Sequence, residues 1–402
     1  LKILLYEAAT AGDLQAFTGA SQSILCEGYA MAEALASDLQ AAGHKVTVLV
    51  GGESAPAPSC LDAGGVNHVE TSTDPKRVLG REAALHDATY VIAPESGGML
   101  AELVGMVEEL CGPEASLNHS SSTVRRASDK LLIHERLRSR GMAVPRTHAL
   151  SSPGLGDSAL EHIALGFPLV LKPSSGAGCE GLTMVFDEND LEEGVRRRAQ
   201  GEAVSLLVQE YVRGVPASVS LLCSSTAVRP LSLNRQILRL DRQPGRSEYL
   251  GGVVPLDHAA RPQAFQAACE AAKVLGLRRG YAGIDMVLAP DGPVIVDVNP
   301  RLTTSYLGLR RTSSVNVAEW LVKSCLGDEL PAAVEQHGYS IFLKVTCCPA
   351  GPEGLNPPFL GPREASCALA VAHGGTLTEA AVDLRDVRSR LTAPATGGGL
   401  LG

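Results

Sequence analysis

Residues 280–301 read GYAGIDMVLAPDGPVIVDVNPR, and they decide the fold. Apolar residues fill two arms, and Pro290-Asp291-Gly292 supplies a turn, so the stretch predicts a β-hairpin. One arm carries Asp285. The other carries Asp297 and Asn299, two residues apart and therefore on one face of a strand. Parity decides whether the arms cooperate. A three-residue loop at 290–292 pairs Ala289 with Pro293 and sets Asp285 opposite Asp297 on the same face. A two-residue turn puts them on opposite faces. The expectation is therefore the three-residue loop. Two carboxylates and an amide oxygen on an otherwise apolar sheet call for a counter-ion, because unpaired buried charge is costly. Mg²⁺, or Mn²⁺ in its place, takes a few carboxylates together with water and phosphate oxygens. The alternative is that these are solvated strand ends.

The bulk composition narrows the class. A chain of 402 residues is too long for one ordinary core and suits two or three lobes. The net charge of −9 leaves no electrostatic footprint for nucleic acid. No apolar run reaches membrane-spanning length, and LKILLY at the start lacks a signal-peptide layout. Ten cysteines are scattered without metal-ligand spacing, which fits reduced thiols in a cytoplasm.

Outward from the hairpin, the first 115 residues alternate short apolar strands with helical patterns. That predicts a parallel sheet with crossover helices. Ligands of such sheets bind beyond the carboxyl ends of the strands, where Glu7 and Glu95 are candidates for holding a substrate amino group; the alternative is that these stretches are surface loops with ordinary glycines. No GxGxxG is present. Residues 118–128 read as a polar bridge. Asp129-Lys130 then opens a helix that Gly141 ends, and Lys130 in its first turn, against the helix dipole, is either a plain surface lysine or one that holds a nucleotide phosphate.

Residues 167–173, FPLVLKP, form a strand followed by SSGAGCEG and a second strand, a glycine-rich flap unlike a Walker loop. Gly176, Gly178 and Gly181 let backbone N–H groups approach a polyphosphate, Ser174 and Ser175 add hydroxyls, and Lys172 adds a point charge. Cys179 at the flap tip is either a reactive thiol or a small filler. The strand LLVQEY runs into Glu210-Tyr211-Val212, where backbone groups suit the edge of an adenine. Asn234 and Arg235, expected at a strand end, are placed to face phosphates. Residues 299–311 read as a loop with arginines and hydroxyls suited to a carboxylate or a transferred phosphate. Beyond about Pro331 the pattern weakens to a small appendix and a glycine-rich tail, expected to be disordered.

Taken together, ASDK (127–130), LVLKPSSGAGCEG (169–181), VQEYV (208–212), GIDMV (283–287) and VDVNPR (296–301) resemble the ATP-grasp superfamily of carboxylate–amine ligases. The resemblance implies an α/β fold with a pre-ATP-grasp lobe over residues 1–115. An ATP-grasp domain follows over 116–330, with a flap lobe at about 145–212, and an appendix over 331–402. It implies Lys130 and Lys172 on the phosphates of ATP, Glu210 near adenine, and Asp285, Asp297 and Asn299 on Mg²⁺. Residues 214–218 lack the acid that many members use for the ribose, and Asp297 stands where Glu is more frequent. LLYEAATAG, SILCEGYAMAEAL and NPRLTTSYLGLR are similar to the tyramine–glutamate ligase group of methanofuran synthesis. That implies an ADP-forming ligase joining L-glutamate to tyramine or a tyrosine-like amine. Lys172, Arg235 and Arg301 would serve the transferred phosphoryl group and the carboxylate. The partners are then small carboxylates and amines, and a homodimer is compatible. Another amino-acid or polyglutamate ligase, or an ATP-binding scaffold without chemistry, stays open.

Overall fold

The computed structural model describes residues 1–13, 22–51, 66–71, 74–150, 165–174, 176, 179, 181–199, 205–346, 359–360 and 367–392. The chain begins with a parallel sheet. It comprises β1 (Lys2–Glu7), α1 (Gln22–Ala41), β2 (Lys45–Gly51), β3 (Val66–Thr71), α2 (Pro75–Ala83), β4 (Ala88–Ile92) and α3 (Met99–Cys111). The strand order is β3-β2-β1-β4, every pair parallel. Burial on both faces explains the continuous apolar runs: Ile3, Leu4, Leu5 and Tyr6 are all fully buried.

The expected polar bridge contains a short helix, α4 (Ser121–Ala127), capped by the Ser120 hydroxyl and seated on Thr123, Val124 and Ala127. Next comes α5 (Lys130–Ser139), capped by Asp129, whose carboxylate accepts from the Leu132 N–H. A small antiparallel sheet follows, from β5 (Thr147–Leu150), β6 (Leu169–Pro173), β7 (Thr183–Val185), α6 (Glu188–Ala199) and β8 (Leu206–Glu210), in the order β5-β8-β6-β7. Ser175 and Gly178 of the flap lie outside the described residues.

The third sheet organises the rest. It is built from β9 (Val215–Cys223), β10 (Val228–Arg239), β11 (Glu248–Val254), α7 (Arg261–Leu275), β12 (Gly280–Ala289), β13 (Gly292–Asn299), α8 (Tyr306–Thr312), α9 (Val317–Val322), β14 (Tyr339–Thr346), β15 (Phe359–Leu360), β16 (Cys367–Gly374) and α10 (Leu377–Thr392). Eight strands run β13-β12-β9-β10-β11-β14-β16-β15. One face carries α7, whose alanines 264, 268, 271 and 272 recur at helical spacing. They pack on Ala217, Val219, Leu221, Ile284 and Met286.

Two sequence expectations change here, and a third falls outside the described residues. The appendix expected beyond Pro331 is built into this sheet: β14, β16 and β15 extend it, and α10 packs on them through Ala380, Leu384 and Val387. The glycine-rich tail lies outside the described residues. The loop expected at 299–311 ends in α8, because Tyr306, Leu307 and Leu309 bury.

The hairpin turn has two residues, not three. Ala289 pairs with Gly292, Leu288 with Pro293 and Met286 with Ile295. Asp285 nevertheless pairs with Asp297, because Val296 is an extra residue, a β-bulge in β13. The carboxylates share a face as expected, but the bulge sets the parity and the loop does not.

Candidate active site

Five elements supply the charged groups of one cavity of about 190 Å³ between the two antiparallel sheets, β8 with Glu210 among them. The first turn of α5 brings Lys130, β6 brings Lys172, β12 brings Asp285, and β13 brings Asp297 and Asn299. Apolar residues from both sheets, Val170, Leu182, Leu238, Leu240 and Val287, wall the rest. They suit a flat heterocycle held between aliphatic faces.

The electrostatics are uneven. Lys130 donates to Asp297 Oδ2 in a partly buried ion pair. Asp297 Oδ1 accepts from the Val298 N–H at 3.0 Å. Burial opposes ionisation of Asp297, yet the ammoniums of Lys130 and Lys172 hold it below the usual carboxylate range. Asp285 behaves oppositely. Burial, then the charge of Asp297, push it up to about 7. Its oxygens accept from Gln236 Nε2 at 3.0 Å and Asn299 Nδ2 at 3.1 Å. Lys172 donates to the Val296 carbonyl at 3.4 Å, and burial together with Lys130 lowers its ammonium to about 8.

This donor set fits a hard divalent cation shared with a ligand. Among the described residues, no three His, Cys, Asp or Glu side chains gather as an all-protein metal site. Two carboxylates and one amide would leave positions for water and phosphate oxygens, as Mg²⁺ prefers.

Other expected residues are placed differently. Arg235 is exposed, on the face of β10 opposite the cavity. The strand runs on to Arg239, and alternation sends Gln236 inward instead. Asn234 is buried in a hydroxyl network, donating to Ser218 Oγ at 3.3 Å and Ser220 Oγ at 3.0 Å. Glu210, Tyr211 and Val212 line the cavity. The Glu210 carboxylate, however, accepts from the Arg146 backbone N–H at 3.0 Å and Arg146 Nε at 2.7 Å. Gly176 lines the cavity. The Ser174 N–H goes to the Ser205 carbonyl at 2.9 Å. Gly181, at φ +71°, packs so close to Pro173 that a Cβ would lie 2.8 Å from its ring. Cys179 lines the cavity, but burial pushes its thiol up to about 12, so it stays protonated and serves as a filler.

A second space of about 70 Å³ adjoins the first and shares Gln236, Tyr249, Asp285 and Asn299 with it. It leads to a third of about 40 Å³ through shared Glu27 and Arg301. Arg301 is half-buried and forked on Glu95, Nε to Oε1 at 2.8 Å and Nη2 to Oε2 at 3.1 Å. Glu95 is thus engaged by Arg301. Nη1 also donates to the Leu302 carbonyl at 3.1 Å, which leaves one N–H on each of Nη1 and Nη2 for a further acceptor such as a carboxylate. Glu7 is buried at the carboxyl end of β1 and accepts from Ala9 N, Thr10 N and Thr10 Oγ1 at 3.0, 2.8 and 2.7 Å. Burial raises its carboxyl pKa. Glu27, which sequence reasoning missed, pairs with Lys344 and accepts from Thr304 Oγ1 at 2.7 Å. No local motif marks it, because its partners come from the far end of the chain.

Residues 127–305 match the ATP-grasp domain and residues 58–124 the pre ATP-grasp 3 domain. The chain thus carries an ATP-grasp domain and has the ATP-grasp fold. Biotin carboxylase from Campylobacter jejuni, solved as a β,γ-ATP complex, superposes with a TM-score of 0.72 at 17% identity, over 97% of this chain and 91% of that one. In sequence, the chain resembles the tyramine--L-glutamate ligases of Methanocaldococcus jannaschii and Methanocaldococcus fervens. Each is 29% identical over 63% of this chain, covering 68% and 72% of theirs. The probable alpha-L-glutamate ligase of Vibrio atlanticus is 25% identical over 66% of this chain and 85% of its own. These relatives support an ATP-dependent ligase. Among the described residues, no helix is long and apolar enough to cross a membrane.

Proposed function

We propose that the protein joins a carboxylate to an amine at the expense of ATP, through an acyl-phosphate. L-Glutamate is the favoured donor and tyramine or a tyrosine-like amine the favoured acceptor. The observation that carries this is the opposition of Asp285 and Asp297 in a cavity that also holds Lys130 and Lys172 and opens toward Arg301 and Glu7. The ligase-named relatives support the substrate class.

A free carboxylate is a poor electrophile at neutral pH. In the first step its oxygen attacks the γ-phosphorus, the bond to the β-phosphate oxygen breaks, and ADP leaves. In the second, the neutral amine nitrogen attacks the acyl carbon, the carbon–oxygen bond breaks, phosphate leaves, and the nitrogen gives up a proton to the departing phosphate or to water as the amide forms. Lys130 and Lys172 would neutralise charge spreading over the phosphoryl oxygens. Asp285, Asp297 and Asn299 would hold Mg²⁺, which when bound supplies further neutralisation of phosphate oxygens. The remaining N–H groups of Arg301 would orient a substrate carboxylate, and Glu7 would accept an ammonium. Glu210, Tyr211 and Val212 would border the adenine, and the flap after Lys172 would shield the acyl-phosphate from water.

Phosphate release from ATP, with Mg²⁺, L-glutamate and a panel of amines, tests this. Release that requires both glutamate and a tyramine-like amine is expected. Release with a second amino acid in place of the amine would favour an amino-acid or polyglutamate ligase. ATP binding with no release for any pair would favour a scaffold.

A further inference from the structure

His134 has no role in the chemistry above, yet it is 4% exposed and both ring nitrogens face polar partners. Nε2 lies 3.2 Å from the carbonyl of Val296. Val296 is the bulge residue, inserted between Ile295, which pairs with Met286, and Asp297, which pairs with Asp285. A bulge leaves its extra residue out of the ladder. β13 is also the edge of its sheet, so no strand on its other side can take that carbonyl. His134 and Lys172 take it instead.

The other nitrogen closes the network. Nδ1 lies 3.4 Å from Gln209 Nε2 and 3.3 Å from Thr147 Oγ1. The Thr147 hydroxyl donates to the Pro145 carbonyl at 3.0 Å and accepts from Gln209 Nε2 at 2.9 Å. Gln209 Nε2 is nearly equidistant from the two ring nitrogens, 3.4 Å from Nδ1 and 3.5 Å from Nε2, so the Val296 carbonyl, which can only accept, is what places the ring proton on Nε2. Gln209 and Thr147 sit on β8 and β5, so the ring ties the small sheet to the hairpin.

We propose that His134 is a positioning residue for the metal-side carboxylates. By holding the Val296 carbonyl from α5, it fixes the bulge and therefore the register that sets Asp297 across from Asp285. The inference rests on the reading of those carboxylates as Mg²⁺ ligands. Without the bulge, a two-residue turn would put Asp297 on the opposite face of the strand, away from the cavity. Burial, then Lys172, lower the imidazole to about 4, in keeping with a neutral ring that donates from one nitrogen and accepts at the other.

The experiment is calorimetric titration of ADP into the full chain, with Mg²⁺ and with chelator. Wild type should bind ADP more tightly with Mg²⁺. His134→Phe keeps the ring volume but not the donor, and should lose at least about fivefold of that Mg²⁺-dependent gain. His134→Gln, whose amide nitrogen reaches the same carbonyl, should retain it. Because the phenyl variant risks misfolding, ¹⁵N NMR of wild type supplies a second measurement: the His134 proton should reside on Nε2 at neutral pH. Full retention of the gain in His134→Phe, equal losses in both variants, or a proton on Nδ1 would overturn the positioning role alone. A wild type with no Mg²⁺-dependent gain would overturn the metal reading and this inference with it.

Discussion

Lys172 stands in the same cavity as Lys130, but Lys130 has a carboxylate within hydrogen-bond reach, whereas Lys172 reaches a backbone carbonyl. The second ammonium is therefore buried at a cost to stability, which an anionic ligand would offset. Lys172→Met keeps the length of the side chain and removes the charge. It should raise the melting temperature of the ligand-free protein by at least about 2 °C. It should also weaken ATP binding at least about tenfold. Differential scanning fluorimetry and an ATP titration read the two effects. A variant that melts lower and binds ATP normally would refute the phosphate role.

The same lysine gives that stability gain a pH signature. Its ammonium pKa falls from 10.5 to about 8 on folding, through burial and then Lys130. Between those values the unfolded chain binds more protons than the native one, so this group's contribution to stability rises with pH across the window. Below about pH 8 the cost of the buried charge is fully present. The melting advantage of Lys172→Met over wild type should thus be largest near pH 7 and shrink by pH 9.5. The difference between the two proteins isolates this group from the other titrations. A pH-independent advantage would assign it to packing instead.

Asp297 joins two functions, since it neutralises Lys130 and is offered as a Mg²⁺ ligand. Asp297→Asn preserves shape but removes the charge from both. Turnover should fall at least about tenfold even at saturating Mg²⁺, which corresponds to about 1.4 kcal/mol of barrier. Steady-state phosphate release measures it, and unchanged turnover would exclude the ligand role.

Much of this site was legible because its residues lie in short local motifs. The hairpin carboxylates, Lys130 beside its helix cap and Lys172 before a glycine-rich flap each announce themselves within a dozen residues. What could not be read depended on counting or on distance. Both hairpin arms are apolar, so alternation could not reveal that Val296 is an extra residue, and the loop received the parity that the bulge supplies. Arg235 was expected to face phosphate because β10 was taken to end there. Four more residues of strand make Gln236 the inward one. The helix α10 hid because Ala380, Leu384 and Val387 are separated by charged residues, and its apolar face makes sense only once β14 and β16 lie beneath it. Glu27 acquires its charge partner from Lys344, more than three hundred residues away, a pairing that no local pattern encodes.

Gly28 tests the far end of the substrate track. A glycine inside a helix such as α1 ordinarily weakens it, and replacement by alanine gains up to about 1 kcal/mol. Here a Cβ would stand 2.3 Å from Glu7 Oε1 and 2.7 Å from its carboxyl carbon. Glu7 cannot simply swing aside, because Ala9 and Thr10 of its own turn hold both its oxygens. Gly28→Ala should therefore displace the carboxylate proposed to accept a substrate ammonium, while leaving the nucleotide cavity intact. The KM for one amine-bearing substrate should rise at least about tenfold, with the KM for ATP changed by less than about twofold. The melting temperature should not show the gain expected of a helical alanine. Unchanged substrate KM values together with a higher melting temperature would mean that Glu7 is only a cap for its own turn, and the ammonium would have to be sought at Glu27.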